Sequence, residues 1–148
     1  MKHVINLFSF VLILSSCNKE KRQAEKDEEI IKKYITNNNL NAKPTGSGLY
    51  YVVETAGTGD QPTSSSQVKV AYTGYFTNAK VFDESPATGV TFGLQQVIKG
   101  WTEGIPFFKE GGKGILLIPS KLGYGASGTN GIPANSVLIF NVELIDVL

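Results

Sequence analysis

The chain has 148 residues, 41% of them hydrophobic, with a formal net charge of +1. That length fits one domain with appendages, and the near-zero charge gives no electrostatic footprint for nucleic acid. A single cysteine, Cys17, excludes an intrachain disulfide. The only histidine, His3, falls in the N-terminal segment that reads as an address, which argues against a Cys/His metal set and leaves the domain without a Ser-His or Cys-His nucleophile pair.

The first elements read as an address and a stalk. Met1 to His3 form a short basic segment, and Val4 to Leu14 is a mostly apolar run, too short to span a bilayer comfortably but suited to a signal peptide. Leu14-Ser15-Ser16-Cys17 resembles the bacterial lipobox, which implies a signal peptide over 1–16, cleavage before Cys17 and its lipidation. Several acyl chains would anchor the protein firmly to a bilayer, at about 0.8 kcal/mol per buried methylene. Asn18 to Lys33 is dense in charges of both signs, with Ile30, Ile31, Tyr34 and Ile35 as a narrow apolar stripe. Glu28 with Lys32, and Glu29 with Lys33, are favourable i,i+4 pairs, so a helix is expected over about 23–37. Residues 17–46 then read as a tether: this helix, a stop at Asn37-Asn38-Asn39, and a linker containing Pro44. A solvated spacer is preferred over a dimerising or docking helix, because the stripe runs for only about two turns.

From about residue 47 the period changes, and the 16 glycines of the chain crowd beyond residue 45, which favours short strands and tight turns. Leu49 to Thr55 is β-prone. Val68, Val70 and Tyr72 alternate with Lys69, Ala71 and Thr73 as in a half-buried strand. A turn at Thr77-Asn78-Ala79 leads to a short strand over Lys80 to Asp83, and Val90 to Phe92 suits another. Gln95 to Gly104 has helical spacing of Val97, Ile98 and Trp101. Gly114 to Ile118 is a continuous apolar strand stopped by Pro119, Ser120 to Ser136 a long glycine-rich loop, and Val137 to Val147 the longest strand. On that strand Leu138, Phe140, Val142 and Leu144 share one face, and Val137, Ile139 and Asn141 the other. Antiparallel strands with one short helix late in the order make an α+β domain, the helix laid across the sheet with Trp101 between them.

Tyr72, Phe82, Trp101, Tyr124 and Phe140 each come from a different segment. Core packing accounts for any one of them, and for Phe92 and Phe107 it is the preferred account. Tyr124, between glycines in a loop that ought to face solvent, is harder to assign to packing. The same segments carry a family resemblance. Val70-Ala71-Tyr72-Thr73-Gly74, Val81-Phe82-Asp83-Glu84-Ser85, Val97-Ile98-Lys99-Gly100-Trp101 with Glu103-Gly104, Tyr124-Gly125 with Ile132-Pro133, and Leu138 to Leu144 resemble, in order, the motifs of the FKBP-type prolyl isomerases. The resemblance spans nearly all of residues 47–148.

It implies a curved antiparallel sheet of roughly five to six strands wrapped over one short helix. It also implies an isomerase of X-Pro bonds in proline-containing polypeptide clients, working without cofactor, metal or covalent intermediate. Trp101 would form the floor of the pocket and Tyr72, Phe82 and Phe140 its walls. The Ile98 N–H and the Tyr124 hydroxyl would bond substrate carbonyls, and Asp83 would border the twisting imide. Val97, Ile98, Val90 and Ile132 complete the expected substrate-binding set, although Val90 stands where the family often has an aromatic. With the lipobox, the resemblance points to a lipid-anchored bacterial form in the cell envelope, facing the periplasm and assisting exported proteins. Similar anchored isomerases accompany gliding machinery in some bacteria, so membership of an envelope complex is a further expectation. A module that binds proline-containing or unfolded segments without turnover is the alternative function.

Overall fold

The computed structural model describes the backbone of residues 8–148, with side chains from residue 15 onward. The expected basic segment at Met1 to His3 and the start of the apolar run lie outside the described residues. Within them no helix is long and apolar enough to cross a membrane. The chain opens with a helix, α1 (Phe8–Asn37), followed by strands β1 (Lys43–Pro44), β2 (Tyr50–Thr55), β3 (Gln67–Tyr75), β4 (Val81–Glu84) and β5 (Val90–Gly93). A short helix α2 (Lys99–Gly104), then β6 (Lys113–Ile118) and β7 (Leu138–Val147), complete it.

All strands pair antiparallel in one seven-stranded sheet, in the order β1-β2-β6-β7-β3-β4, with β5 also paired to β3. β4 and β5 share one edge of β3: residues 73–75 of β3 pair with β4, and residues 67–70 with β5. Register shifts at Val53/Thr55, Lys69/Val70 and Gly74/Tyr75 are bulges, which bend the strands and strengthen their twist. The sheet exceeds the expected strand count because the linker is not free chain. Lys43 and Pro44 pair with Tyr51 and Tyr50, and the hydroxyls of Thr45 and Ser47 donate to Glu103 Oε1 at 2.5 and 2.7 Å, tying the linker to α2.

The central strands are apolar on both faces. Leu49, Leu116, Ile118, Leu138, Phe140, Val142 and Leu144 join Trp101, Ile105 and Phe108 in one buried cluster. Tyr50, Val52, Ile115, Leu117, Val137 and Ile139, the alternate positions, form a second. α2 covers the first face. It lies close because Gly100 and Gly104 face the sheet: a Cβ at Gly100 would stand 2.5 Å from Ile118 Cγ2, and one at Gly104 2.7 Å from a Leu116 methyl. The helix is shorter than the Gln95–Gly104 expected, since Ile98 is extended (ψ 148°) and the chain before it is a turn at Leu94-Gln95 and a bend at Gln96-Val97.

The second face is covered by α1, which corrects the reading of this segment as a solvated spacer. Ile31 is fully buried in the second cluster, with Tyr34, Ile35 and Leu40 packed beside it. Asp27, one turn before Ile31 on the same face, is 1% exposed and accepts from the Ser120 backbone N–H at 2.8 Å and its hydroxyl at 2.5 Å. Next to it the Tyr50 hydroxyl donates to Glu28 Oε1 at 2.6 Å. Burial, and then the Glu28 carboxylate, push the Tyr50 phenol up to about 12, while the bond from Tyr50 holds Glu28 below its ordinary value. The stop at the asparagines is as expected: Asn39 adopts φ 51°, and Leu40 N–H returns to the Ile35 carbonyl at 3.0 Å.

Truncating the buried stripe separates a docked helix from a spacer. Ile31→Ala is expected to lower unfolding stability by about 2–4 kcal/mol. Chemical denaturation of the full chain measures it, and a change under about 0.5 kcal/mol, the usual surface value, contradicts the docking.

Candidate functional site

Five rings converge from five elements. Trp101, on α2, meets Tyr72 of β3 edge to face at 5.1 Å between centroids, Phe140 of β7 at 5.4 Å and Phe92 of β5 at 5.5 Å. Phe82 of β4 meets Phe140 edge to face at 5.5 Å, and Phe76 stands 5.0 Å behind Phe82. Positive ring edges against negative ring faces make such a cluster self-complementary, which fixes the walls without polar contacts. Phe82 and Phe140 also lie directly over Gly74, where a Cβ would come within 2.7 Å of both rings. The Tyr-Thr-Gly sequence therefore ends in the one residue type that lets these two rings close on the β3 backbone.

The rings enclose a concave pocket of about 590 Å³, lined also by Asp83, Gln96, Val97, Ile98, Tyr124, Thr129, Asn130 and Ile132. Of the residues expected at the site, Tyr72, Phe82, Asp83, Trp101, Tyr124, Phe140, Val97, Ile98 and Ile132 come together here. Val90 does not: it pairs with Val70 at the start of β5 and is absent from the lining, which corrects its expected place. With a strand period of two, Phe92 shares its face, and only this longer side chain meets Tyr72 and Trp101. Core packing was therefore an incomplete account of Phe92, and the alternation Val90-Thr91-Phe92 was the available signal. Gln96 and Asn130 were also missed, being polar residues in loops whose path the sequence does not reveal.

Polar groups are few and sit at the rim. The Tyr72 hydroxyl donates to Asp83 Oδ2 at 2.8 Å, a bond between neighbouring strands β3 and β4. Burial, followed by that bond and the Asp83 charge, pushes the Tyr72 phenol up to about 12, so it is a neutral donor at physiological pH. The Ile98 N–H precedes α2 and donates to no group among the described residues. Trp101 is 4% exposed, and its Nε1 is a buried side-chain atom without a partner among them. Tyr124 is 41% exposed at the tip of its loop. No group of three or more His, Cys, Asp or Glu side chains placed to hold a metal occurs among the described residues. An apolar, concave site with a few donors at its edge can desolvate a ligand and orient one or two carbonyls.

The raised Tyr72 value has a sign that can be tested. Its folded value exceeds its ordinary 10.0, so the stabilisation from the neutral phenol is complete below pH 10 and is lost as pH rises from there through about 12. The difference in melting temperature between the native chain and Tyr72→Phe is expected to stay constant below pH 10 and to move against the native chain above it. A difference that stays flat to pH 12 contradicts the assignment.

A family model described as FKBP-type peptidyl-prolyl cis-trans isomerase matches residues 59–145. A probable FKBP-type peptidyl-prolyl cis-trans isomerase of Haemophilus influenzae is 54% identical over 108 residues, which cover 71% of this chain and 45% of that protein. The chain spans less than half the length of the curated relatives it matches. Among solved structures, a peptidyl-prolyl cis-trans isomerase from Pseudomonas syringae superposes with a TM-score of 0.76 at 30% identity, covering 86% of this chain and 94% of that one. FkpA from Escherichia coli superposes with a TM-score of 0.75 at 38% identity, covering 96% of this chain and 70% of its own.

Proposed function

The chain belongs to the FKBP-type peptidyl-prolyl cis-trans isomerases, and on that premise we propose that it isomerises X-Pro bonds in exported polypeptide clients, using the aromatic pocket over Trp101. The observation that carries this reading is the convergence of Tyr72, Phe82, Phe92, Trp101 and Phe140 on one concave apolar site.

The chemistry suits such a site. Rotation about the imide passes a barrier of about 18–20 kcal/mol because the twisted form loses its resonance. The twisted imide is less polar than the planar one, so a dry aromatic cavity favours it over the ground state, which is differential binding of the transition state. Lowering the barrier by about 6–8 kcal/mol would supply roughly four to six decades of rate. In this reading Trp101 is the floor, with Tyr72, Phe82, Phe92 and Phe140 as walls. The free Ile98 N–H and the Tyr124 hydroxyl hold the carbonyls flanking the proline. Tyr72 keeps the Asp83 carboxylate turned along the rim beside the imide. Val97 and Ile132 close the apolar lip.

Catalysed cis-trans exchange of an Ala-Leu-Pro-Phe-type peptide tests the proposal. The intact chain is expected to accelerate it, and Asp83→Ala and Phe140→Leu to lower kcat/KM by about tenfold each while circular dichroism stays native. Binding of the peptide at the uncatalysed rate would replace the enzyme by a module that holds proline segments.

We further propose that the protein is a lipoprotein of the cell envelope, facing the periplasm, with a bilayer as partner through acylated Cys17 and a place in an envelope complex. Support comes from Leu14-Ser15-Ser16-Cys17 and from the exposure of Cys17 on α1. Because α1 is already docked at Asp27, the free part of the tether is short. The helical rise from Cys17 to Asp27 is only about 15 Å, which would hold the pocket close to the bilayer. Cys17→Ser is expected to move the protein from the membrane fraction to the soluble one. Retention in the same amount would refute the anchor.

A further inference from the structure

We propose that Asp27, on the helix that precedes the isomerase domain, is a positioning residue of the pocket that acts by fixing Tyr124, an inference that rests on the isomerase reading of the site. The chain of contacts is continuous. Asp27 Oδ2 accepts from both the backbone N–H and the hydroxyl of Ser120, and its Oδ1 accepts from Gln23 Nε2 at 2.8 Å, so the carboxylate is oriented at both ends. Asp27 and Ser120 are 1% and 2% exposed. A charge taken out of water in this way is tolerated because each oxygen has its donors, and removal of one partner leaves the other unsatisfied.

Ser120 in turn organises the loop tip. Its carbonyl accepts from the Gly123 N–H at 3.0 Å and the Gly125 N–H at 2.8 Å, the two residues that flank Tyr124. The Tyr124 carbonyl accepts from Gly128, and the Gly125 carbonyl from Asn135. The Tyr124 backbone is thus held by a small hydrogen-bonded turn rooted at Ser120, while the apolar packing of its loop falls on Leu122 and Ile132, on either side of the tip. Around the Asp27–Ser120 pair, helix and loop are separated by a cleft of about 470 Å³ lined by Gln23, Ala24, Lys121, Gly125 and Ala126. The pair is therefore where α1 pins the loop, and α1 itself is seated on the sheet through Ile31. Reacting and orienting groups must be placed within a fraction of an ångström to be effective, so a loosened root costs rate without touching substrate.

A double-mutant cycle on the full chain distinguishes positioning from general stability. Asp27→Ala is expected to lower kcat/KM by about fivefold with native circular dichroism, Asp27→Asn by less, and Asp27→Ala to lose under about 1.5-fold further in the Tyr124→Ala background. Ser120→Ala, which deletes one of the bonds and little volume, carries the same cycle where Asp27→Ala does not fold. Faster hydrogen exchange at the Gly125 amide in Asp27→Ala is the accompanying signature. An active native chain whose Asp27→Ala variant loses nothing, or loses as much in the Tyr124→Ala background, overturns the role of Asp27 alone. A native chain with no isomerase activity overturns the reading of the site as well.

Discussion

The three central strands, β2, β6 and β7, are apolar on both faces. Successive side chains of a strand point to opposite sides, so a run such as Gly114-Ile115-Leu116-Leu117-Ile118 commits the sheet to two cores. One core, around Leu116, Ile118, Leu138 and Phe140, is closed by α2; the other, around Ile115, Leu117 and Ile139, is closed by α1. Neither helix is an accessory. Without α1 the second cluster would face water as a contiguous apolar patch, and without α2 the first would lose its tryptophan.

The pocket follows from how the first of these cores is left incomplete. α2 is six residues long and its sheet-facing glycines bring it close to β6, so it covers only part of the face. Beyond its N-terminus the rings of β3, β5 and β7 meet Trp101, and Phe82 of β4 meets Phe140, but together they leave a concavity open to solvent. A cavity walled by rings in edge-to-face contact keeps its shape without a filling side chain, because the rings hold each other. Apart from the buried Nε1 of Trp101, the polar side chains sit at the rim, where Asp83 has its bond from Tyr72. A site of this kind presents a ligand with low polarity in the middle and donors at the edge, the distribution suited to an imide that loses polarity as it twists.

The second core bears on the site less directly. Docking of α1 brings a carboxylate to the root of the loop between β6 and β7, and that loop carries Tyr124 and Ile132. An element built from a charged, spacer-like sequence is in this way connected to the pocket mouth through hydrogen bonds at Asp27. The linker makes a parallel connection on the other side, from Thr45 and Ser47 to Glu103 of α2. The segments flanking the sheet therefore brace both the floor and the rim of the cavity.

Much of this was determined locally and could be read from the sequence. Strand alternation at Val68 to Thr73, the face division of Leu138 to Leu144, the turn at Thr77 to Ala79 and the end of α1 at the asparagines depend on side-chain period and backbone preference within a few residues. The motifs around Tyr72, Phe82, Trp101, Tyr124 and Phe140 were legible for the same reason, since each is contiguous. Tertiary structure alone decided which partners meet across long sequence separations. Asp27 looks like one charge among many until Ser120, 93 residues later, supplies its donors. Ile31 and Tyr34 make too short a stripe to announce that they cover the back of a sheet. Val90 and Phe92 lie on the same face of one strand, and only the arrangement of neighbouring rings selects the second. The sequence by itself determined most of the strands and the contiguous aromatic motifs, whereas β1, the length of α2 and the place of Phe92 were decided by tertiary contacts. The choice of what each element packs against rested on burial and hydrogen-bond satisfaction, which are properties of the assembled chain.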